Sequence, residues 1–392
     1  LIIASRFTME PQITQNTFCT YTGAQDEVDT TIFFISGNPG LIGYYHPFLS
    51  LLAQNLAEEP ESENQSQSPK KTSFQIYGCS LGGFEIPSGD AKAEKRLYSL
   101  EDQIRFVHQS LEALMHKTKS GSSSTKRSGS DGNDSSARKH KVILIGHSVG
   151  AYIAMEVLRR HRDGIPSLEG IPEATSKDEL EASRVFDIVG GVMLFPTVKD
   201  IAHSPSGQKL TTLLSFIPQL ALLVGYFATI LTTLLPFTFL KLAIRSVMKN
   251  PPPHGLETTC KFLKSSGGVR QALHMAADEM RTITSDKWAD DVWGVGHTSE
   301  PVTRLFFYFG RNDHWVAEKT RDEIITFRGQ EGDTGEWLGP KMTVCEEGLP
   351  HAFCLCEFQV YSPLVGYTNW AIVHSETMAG KVAKMIQDIM SG

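Results

Sequence analysis

Three side chains in this sequence could together carry out acyl transfer. The first is Ser148, in Gly146-His147-Ser148-Val149-Gly150. The apolar run Val142 to Ile145 before it reads as a buried strand. Ala151, Ile153, Ala154, Val157 and Leu158 after it recur at helical spacing. A G-x-S-x-G between a strand and a helix predicts a nucleophile elbow, a turn so sharp that the serine hydroxyl projects from the end of the sheet. An ordinary strand-to-helix turn with a capping serine would use the same residues.

A serine hydroxyl needs a base to take its proton, and the base needs an acid to hold its tautomer. In the chain order Ser, Asp, His, both partners should follow strands. Asp313 follows the run Leu305 to Phe309, in Gly310-Arg-Asn-Asp313-His-Trp315, and is the candidate acid. Capping of a helix near Val316 is its alternative role, and Glu318 is the nearest competitor. His351 follows Met342 to Cys345 and a Gly-Pro turn, in Leu349-Pro-His351-Ala-Phe353, and is the candidate base. Position selects it among 13 histidines. His314 lies too close to Asp313 for that role. His147 is expected to orient the turn. His46, His203, His254 and His274 are expected to be surface or packing residues, as are Cys354 and Cys356, while Glu346 and Glu347 end a strand.

The developing oxyanion needs two N–H donors. Val149, directly after the serine, should give one. The loop after the strand ending at Ser36 should give the other. Pro39 has no N–H, so Asn38 or Gly40 supplies it, and Asn38 is favoured. The glycines of that loop could also serve only the turn. There is no HExxH, no G-x-G-x-x-G and no Walker motif, so neither a metal nor a nucleotide cofactor is expected.

The elements that must hold these groups alternate. Thr31 to Ser36, Phe74 to Tyr77, Val142 to Ile145, Ile188 to Phe195, Leu305 to Phe309 and Met342 to Cys345 read as strands. Tyr45 to Leu56, Leu100 to Met115 and Val373 to Met390 read as helices. That alternation predicts an α/β fold, a mostly parallel sheet with helices on both faces. The core is expected to comprise residues 1–196 and 301–392, with 197–300 as an inserted apolar lid. Residues 59–71 and 117–140 are low-complexity and are read as disordered surface inserts. Ser167 to Ser183 is a similar acidic connector.

Thr211 to Leu240 holds no charged side chain over 30 residues and is bracketed by Lys209 and Lys241. Its middle, Gln219 to Leu235, is 17 residues between Pro218 and Pro236, a length that would make a helix of about 25 Å. That is at the lower limit for a bilayer span. A spanning helix would also put the two halves of one sheet on opposite sides of a membrane. The readings are a buried hairpin within the lid, an element entering one leaflet of a lipid surface and, least favoured on these grounds, a transmembrane span.

A net charge of −7 and a pI near 6.0 exclude the basic surface that nucleic acid needs. A hydrophobic content of 41% suffices for a large core. The six cysteines (Cys19, Cys79, Cys260, Cys345, Cys354, Cys356) form no CxxC pair and are read as thiols of a reducing compartment. The opening Leu-Ile-Ile-Ala-Ser-Arg lacks a basic n-region, so no secretory signal is expected, and the sequons at Asn64 and Asn133 are read as chance.

Phe34-Ile-Ser-Gly-Asn-Pro-Gly-Leu-Ile-Gly-Tyr-Tyr45, Gly146-His-Ser-Val-Gly-Ala-Tyr152, Gly310-Arg-Asn-Asp-His-Trp315 and Pro350-His-Ala-Phe353, in that order, resemble the lipid droplet-associated hydrolase family. The S-G-N-P-G-x-x-x-Y-Y block is the most specific, since most α/β-hydrolases carry H-G there. The resemblance implies an α/β-hydrolase fold and a Ser148–Asp313–His351 triad. It also implies a place on lipid droplets and the cytoplasmic face of the endoplasmic reticulum, and a role in neutral-lipid or sterol-ester metabolism. Three functions follow: an ester hydrolase working through an acyl-enzyme, a droplet-binding or tethering protein with a weak triad, and an acyltransferase using the same triad. Contact with the lipid surface would fall to residues 211–240.

Overall fold

The computed structural model describes residues 12–24, 28–58, 72–87, 96–123, 139–167, 185–216, 226, 234–248, 251–265, 267–296, 303–329, 339–355, 358–361, 368–371 and 373–391. Eight strands form one sheet: β1 (Gln12–Ile13), β2 (Thr17–Tyr21), β3 (Thr30–Ile35), β4 (Phe74–Cys79), β5 (His140–His147), β6 (Phe186–Leu194), β7 (Arg304–Phe309) and β8 (Lys341–Val344). Their order across the sheet is β1-β2-β4-β3-β5-β6-β7-β8. The first two pairings are antiparallel and the other five parallel.

The six residues of β3, TTIFFI, are all buried. A parallel strand covered on both faces needs such an unbroken run, because neither side of its pleat meets water. The register aligns Ile35 with Gly146, and Gly146 with Met193. The carboxyl ends of β3, β5 and β6 therefore lie side by side, where ligands bind in open parallel sheets.

Helix α1 (His46–Ala57) packs on the C-terminal helix, and α2 (Leu100–Ser123) on α3 (Val149–Asp163). Helix α3 ends at Gly164, whose φ of 68° is the left-handed C-cap that glycine adopts without a steric cost. Between β6 and β7 run α4 (Pro205–Phe216), α5 (Phe237–Val247), α6 (Pro253–Lys264) and α7 (Gly268–Thr282). The last two helices are α8 (Glu318–Arg328) and α9 (Val373–Ser391), with a hairpin of β9 (Phe358–Tyr361) and β10 (Thr368–Ala371) before α9. Helix α9 also lies on β6 and β7, where Ile389 packs against Gly190.

The segment 117–140, expected to be a disordered insert throughout, needs correction at both ends. Helix α2 continues to Ser123, and His140 opens β5 with its Nε2 2.8 Å from Thr31 Oγ1. Extending an existing helix costs far less than nucleating one, so α2 runs past its apolar stripe. Residues 59–71, 124–138 and 168–183 lie outside the described residues, as does most of 217–233. Among the described residues no helix is long and apolar enough to cross a membrane.

Candidate active site

At the end of β5 the chain turns through Ser148 with φ 56° and ψ −124°, a conformation rare for a residue with a side chain. Neighbouring backbone makes the turn tight. A Cβ on Gly146 would stand 2.4 Å from Gly150 O, and one on Gly150 would stand 2.4 Å from Ile35 O. Only glycine fits at either position. The Ser148 N–H donates to Leu194 O at 2.9 Å, tying the turn to the end of β6.

His351 lies between the other two candidates. Its Nε2 is 2.9 Å from Ser148 Oγ, and its Nδ1 is 2.7 Å from Asp313 Oδ2. A carboxylate only accepts, so Nδ1 carries the hydrogen. In the neutral ring Nε2 is then the acceptor, and Ser148 Oγ–H donates to it. Three residues up to 203 positions apart meet because β5, β7 and β8 end at the same edge. Gly348, at φ 70°, turns the chain after β8 and returns Leu349-Pro350-His351 towards the elbow.

Asp313 is buried. Its second oxygen, Oδ1, accepts the Trp315 N–H at 2.8 Å. It caps no helix: the N-cap of α8 is Ala317, which makes no side-chain cap. Glu318 and His314 are exposed. Glu347 pairs with Lys381 at 2.6 Å, Cys354 is buried, and Cys356 lies outside the described residues. His203 is exposed, and His46, His254 and His274 are partly buried.

Three aromatic residues that sequence reasoning passed over surround His147 and His351. Tyr45 Oη is 2.8 Å from His147 Nδ1. The Phe353 ring meets His147 edge-on at 5.4 Å, and Phe195 lies 5.6 Å from the His351 ring. His147, expected to orient the turn, donates from Nε2 to His351 O at 2.8 Å. Burial and the neighbouring His351 push the His147 pKa down to about 3. Tyr45 is the last residue of the S-G-N-P-G-x-x-x-Y-Y block, so the signal was present, but nothing in the spacing said what its hydroxyl meets.

The Asn38–Pro39 peptide is cis. Gly37 N–H is engaged, donating to Tyr45 Oη at 3.2 Å. Val149 opens α3, where the first N–H groups of a helix lack intrahelical acceptors. Asn38 Nδ2 is engaged by α7, donating to Ala272 O at 3.0 Å and Glu279 Oε1 at 2.9 Å. Among the described residues no three His, Cys, Asp or Glu side chains gather as a metal site.

The strand order, the antiparallel β2 and a glycine-flanked turn between β5 and α3 define an α/β-hydrolase. A family model described as lipid-droplet associated hydrolase matches residues 28–354. The chain belongs to that family and is a hydrolase. It is 25% identical over 338 residues to lipid droplet-associated hydrolase from Gallus gallus, covering 86% of this chain and 82% of that one. The Homo sapiens protein of the same name is 24% identical over 340 residues, with 82% and 79% covered. The Dictyostelium discoideum protein is 26% identical over 316 residues, with 78% of each covered. A carboxylesterase structure from Nitrososphaera gargenis overlays with a TM-score of 0.46 at 11% identity, covering 96% of this chain and 95% of that one.

Proposed function

We propose that this hydrolase is a serine esterase that cleaves neutral-lipid or sterol esters at a lipid-droplet surface. The observation that carries this reading is His351, held between Ser148 Oγ at 2.9 Å and Asp313 Oδ2 at 2.7 Å.

In this reading Ser148 Oγ bonds to the ester carbonyl carbon as its proton passes to His351 Nε2. The carbonyl electron pair moves onto oxygen, and the N–H groups of Val149 and Asn38 hold that oxyanion. Asp313 stabilises the imidazolium through Nδ1–H. Collapse expels the alcohol oxygen, which takes the proton from Nε2, and an acyl-enzyme remains. Water then gives a proton to His351 as its oxygen bonds to the acyl carbon. The second collapse returns the proton to Ser148 Oγ and releases the acid.

The surface assignment is supported by α5. Its inner stripe, Leu240 and Ile244, packs on Leu256 and Cys260 of α6. Its outer side leaves Phe239 at 61%, Leu242 at 65% and Val247 at 83% exposure. Lys241 and Lys264 lie over the Phe237 ring at 4.6 and 5.7 Å, placing cations at the edge of the apolar patch. An amphipathic helix of this kind lies in a lipid–water interface. Helices α4 to α7 are then the lid, and residues 211–240 extend the lipid contact to droplet and endoplasmic-reticulum surfaces.

The test is labelling of the full chain with a fluorophosphonate, with and without lipid droplets, beside Ser148→Ala. Labelling of wild type alone supports an activated serine. Absence of labelling under both conditions overturns the esterase reading and leaves a droplet-binding role carried by α5.

A further inference from the structure

Helix α7 buries Met275 and Met280 in the core and is also held through polar groups. Gln271 accepts the Tyr98 N–H at 2.9 Å and donates to Tyr98 O at 2.8 Å. Asp278 accepts the Leu100 N–H at 2.7 Å. The third attachment is Asn38, 241 residues away in sequence from Glu279. The Ala272 carbonyl can only accept, so it fixes which way the Asn38 amide faces. Both hydrogens of Nδ2 are then engaged, one by Ala272 O and one by Glu279 Oε1. Asn38 Oδ1 is left buried and without a partner among the described residues. An unsatisfied buried acceptor carries a desolvation cost, so the amide needs both contacts to α7 to hold this orientation.

We propose that Glu279 is a positioning residue for the oxyanion loop: by gripping the Asn38 side chain from α7, it sets the Asn38 backbone N–H beside that of Val149. The proposal rests on the esterase reading of Ser148.

Glu279 is buried. Burial, opposed by the Asn38 hydrogen bond and reinforced by the neighbouring Asp278, raises its pKa to about 8. Among the described residues no cation offsets this. On the elements packed against α7, Asp102 of α2 is turned to Ser99 and Arg96, and His108 to Glu112. Lys261 of α6 is turned to Glu257 and His203 to Asp200, while Lys209 of α4 is exposed. Burial therefore favours the uncharged form of this side chain near neutral pH. Its ionisation would set a negative charge behind the group that holds the oxyanion and oppose charge development there.

The experiment compares wild type, Glu279→Gln and Glu279→Ala as full chains. Turnover of a short-chain p-nitrophenyl ester is followed from about pH 6 to about pH 9.5, and hydrogen exchange is measured at residues 36–41. Glutamine is isosteric with the neutral acid and cannot ionise. It is expected to keep kcat near neutrality and to lack the fall in kcat expected of wild type above about pH 8. Alanine is expected to lower kcat by roughly tenfold or more with KM unchanged, short of the loss of a whole donor (~10²–10³). It should also speed exchange at 36–41, which glutamine should not. Wild-type kcat and exchange in Glu279→Ala would overturn the proposal, as would a glutamine variant that keeps the alkaline fall. If alanine prevents folding, the glutamine pH profile decides alone. If wild type turns over no ester, the esterase reading fails and the exchange comparison still decides whether Glu279 holds the loop.

Discussion

Tyr45 donates its hydroxyl hydrogen to His147 Nδ1, and the direction of that bond is fixed by the other side of the ring. His147 Nε2 faces the His351 carbonyl at 2.8 Å, and a carbonyl only accepts. With the ring neutral, Nδ1 must accept, so the Tyr45 oxygen is free to take the Gly37 N–H. One chain of hydrogen bonds thus runs from the loop after β3, through the elbow, to the backbone of the candidate base.

Tyr45→Phe breaks that chain in two places at once. The Gly37 N–H and His147 Nδ1 would both stay buried without a partner, at about 1–3 kcal/mol each. The expected result is a lower urea midpoint together with a lower kcat. A phenylalanine variant with wild-type values for both would show that the hydroxyl does not organise the site.

Asp313→Asn should leave the Trp315 contact to Oδ1 in place, so the loop after β7 keeps its shape. The asparagine amide can donate towards His351 Nδ1 and so favour the tautomer with hydrogen on Nε2, which cannot accept from Ser148. A fall in kcat of about 10⁴-fold is expected, with an unchanged melting temperature. Steady-state kinetics and a thermal scan on the same preparation check it.

Gly150→Ala places a methyl 2.4 Å from Ile35 O and 2.7 Å from Ser36 O. Backbone cannot give way as a flexible side chain can, so this variant should lose folding as well as turnover. The soluble fraction on expression is the simplest readout. A soluble, cooperatively unfolding alanine variant would contradict the packing of α3 on β3.

Stability should fall on mild acidification. Burial is the first cause of depressed pKa values at His147, about 3, and His46, about 4, against an ordinary 6.5. Between 6.5 and those values the unfolded chain binds protons that the folded chain refuses. Their contribution is complete above pH 6.5 and is lost as pH drops. Glu279 acts in the opposite sense: its stabilisation is present below its ordinary 4.5 and is lost as pH rises through about 8. In Glu279→Gln the urea midpoint should therefore fall steadily from about pH 6.5 to about pH 4, and His46→Gln should make that slope shallower.

Leu242→Gln and Phe239→Ser should weaken binding to phospholipid-coated oil droplets while leaving turnover of a soluble short-chain ester intact. Each apolar side chain removed from a lipid contact forfeits about 1.5–3 kcal/mol. Droplet flotation measures the first effect, and equal flotation of both variants and wild type would remove α5 from the interface.

The core was legible because its strands are continuous apolar runs. The spans expected at Thr31 to Ser36 and Leu305 to Phe309 lie within one residue of β3 and β7. The edge strands were not legible. Gln12–Ile13 and Thr17–Tyr21 are short and partly exposed, and the pairing of the first on the second, and of the second on Cys79 and Tyr77, comes from tertiary contact rather than local pattern. Ser148, Asp313 and His351 could be picked out because each follows a strand. Glu279 could not, since a glutamate within GVRQALHMAADEMRT reads as a solvated helical face. Only the folded chain reveals that this face lies against Asn38.

Helix α9, late in the sequence, closes over α1, which is early in it. During synthesis, the apolar side of α1 and the surface of β6 at Gly190 must wait for residues 373–391 to emerge. His351, also late, follows Ser148 by 203 positions. A nascent chain therefore carries Ser148 through 203 further residues before the candidate base can meet it. Removal of residues 373–391 is therefore expected to bare the apolar side of α1 and the surface of β6 at Gly190 together.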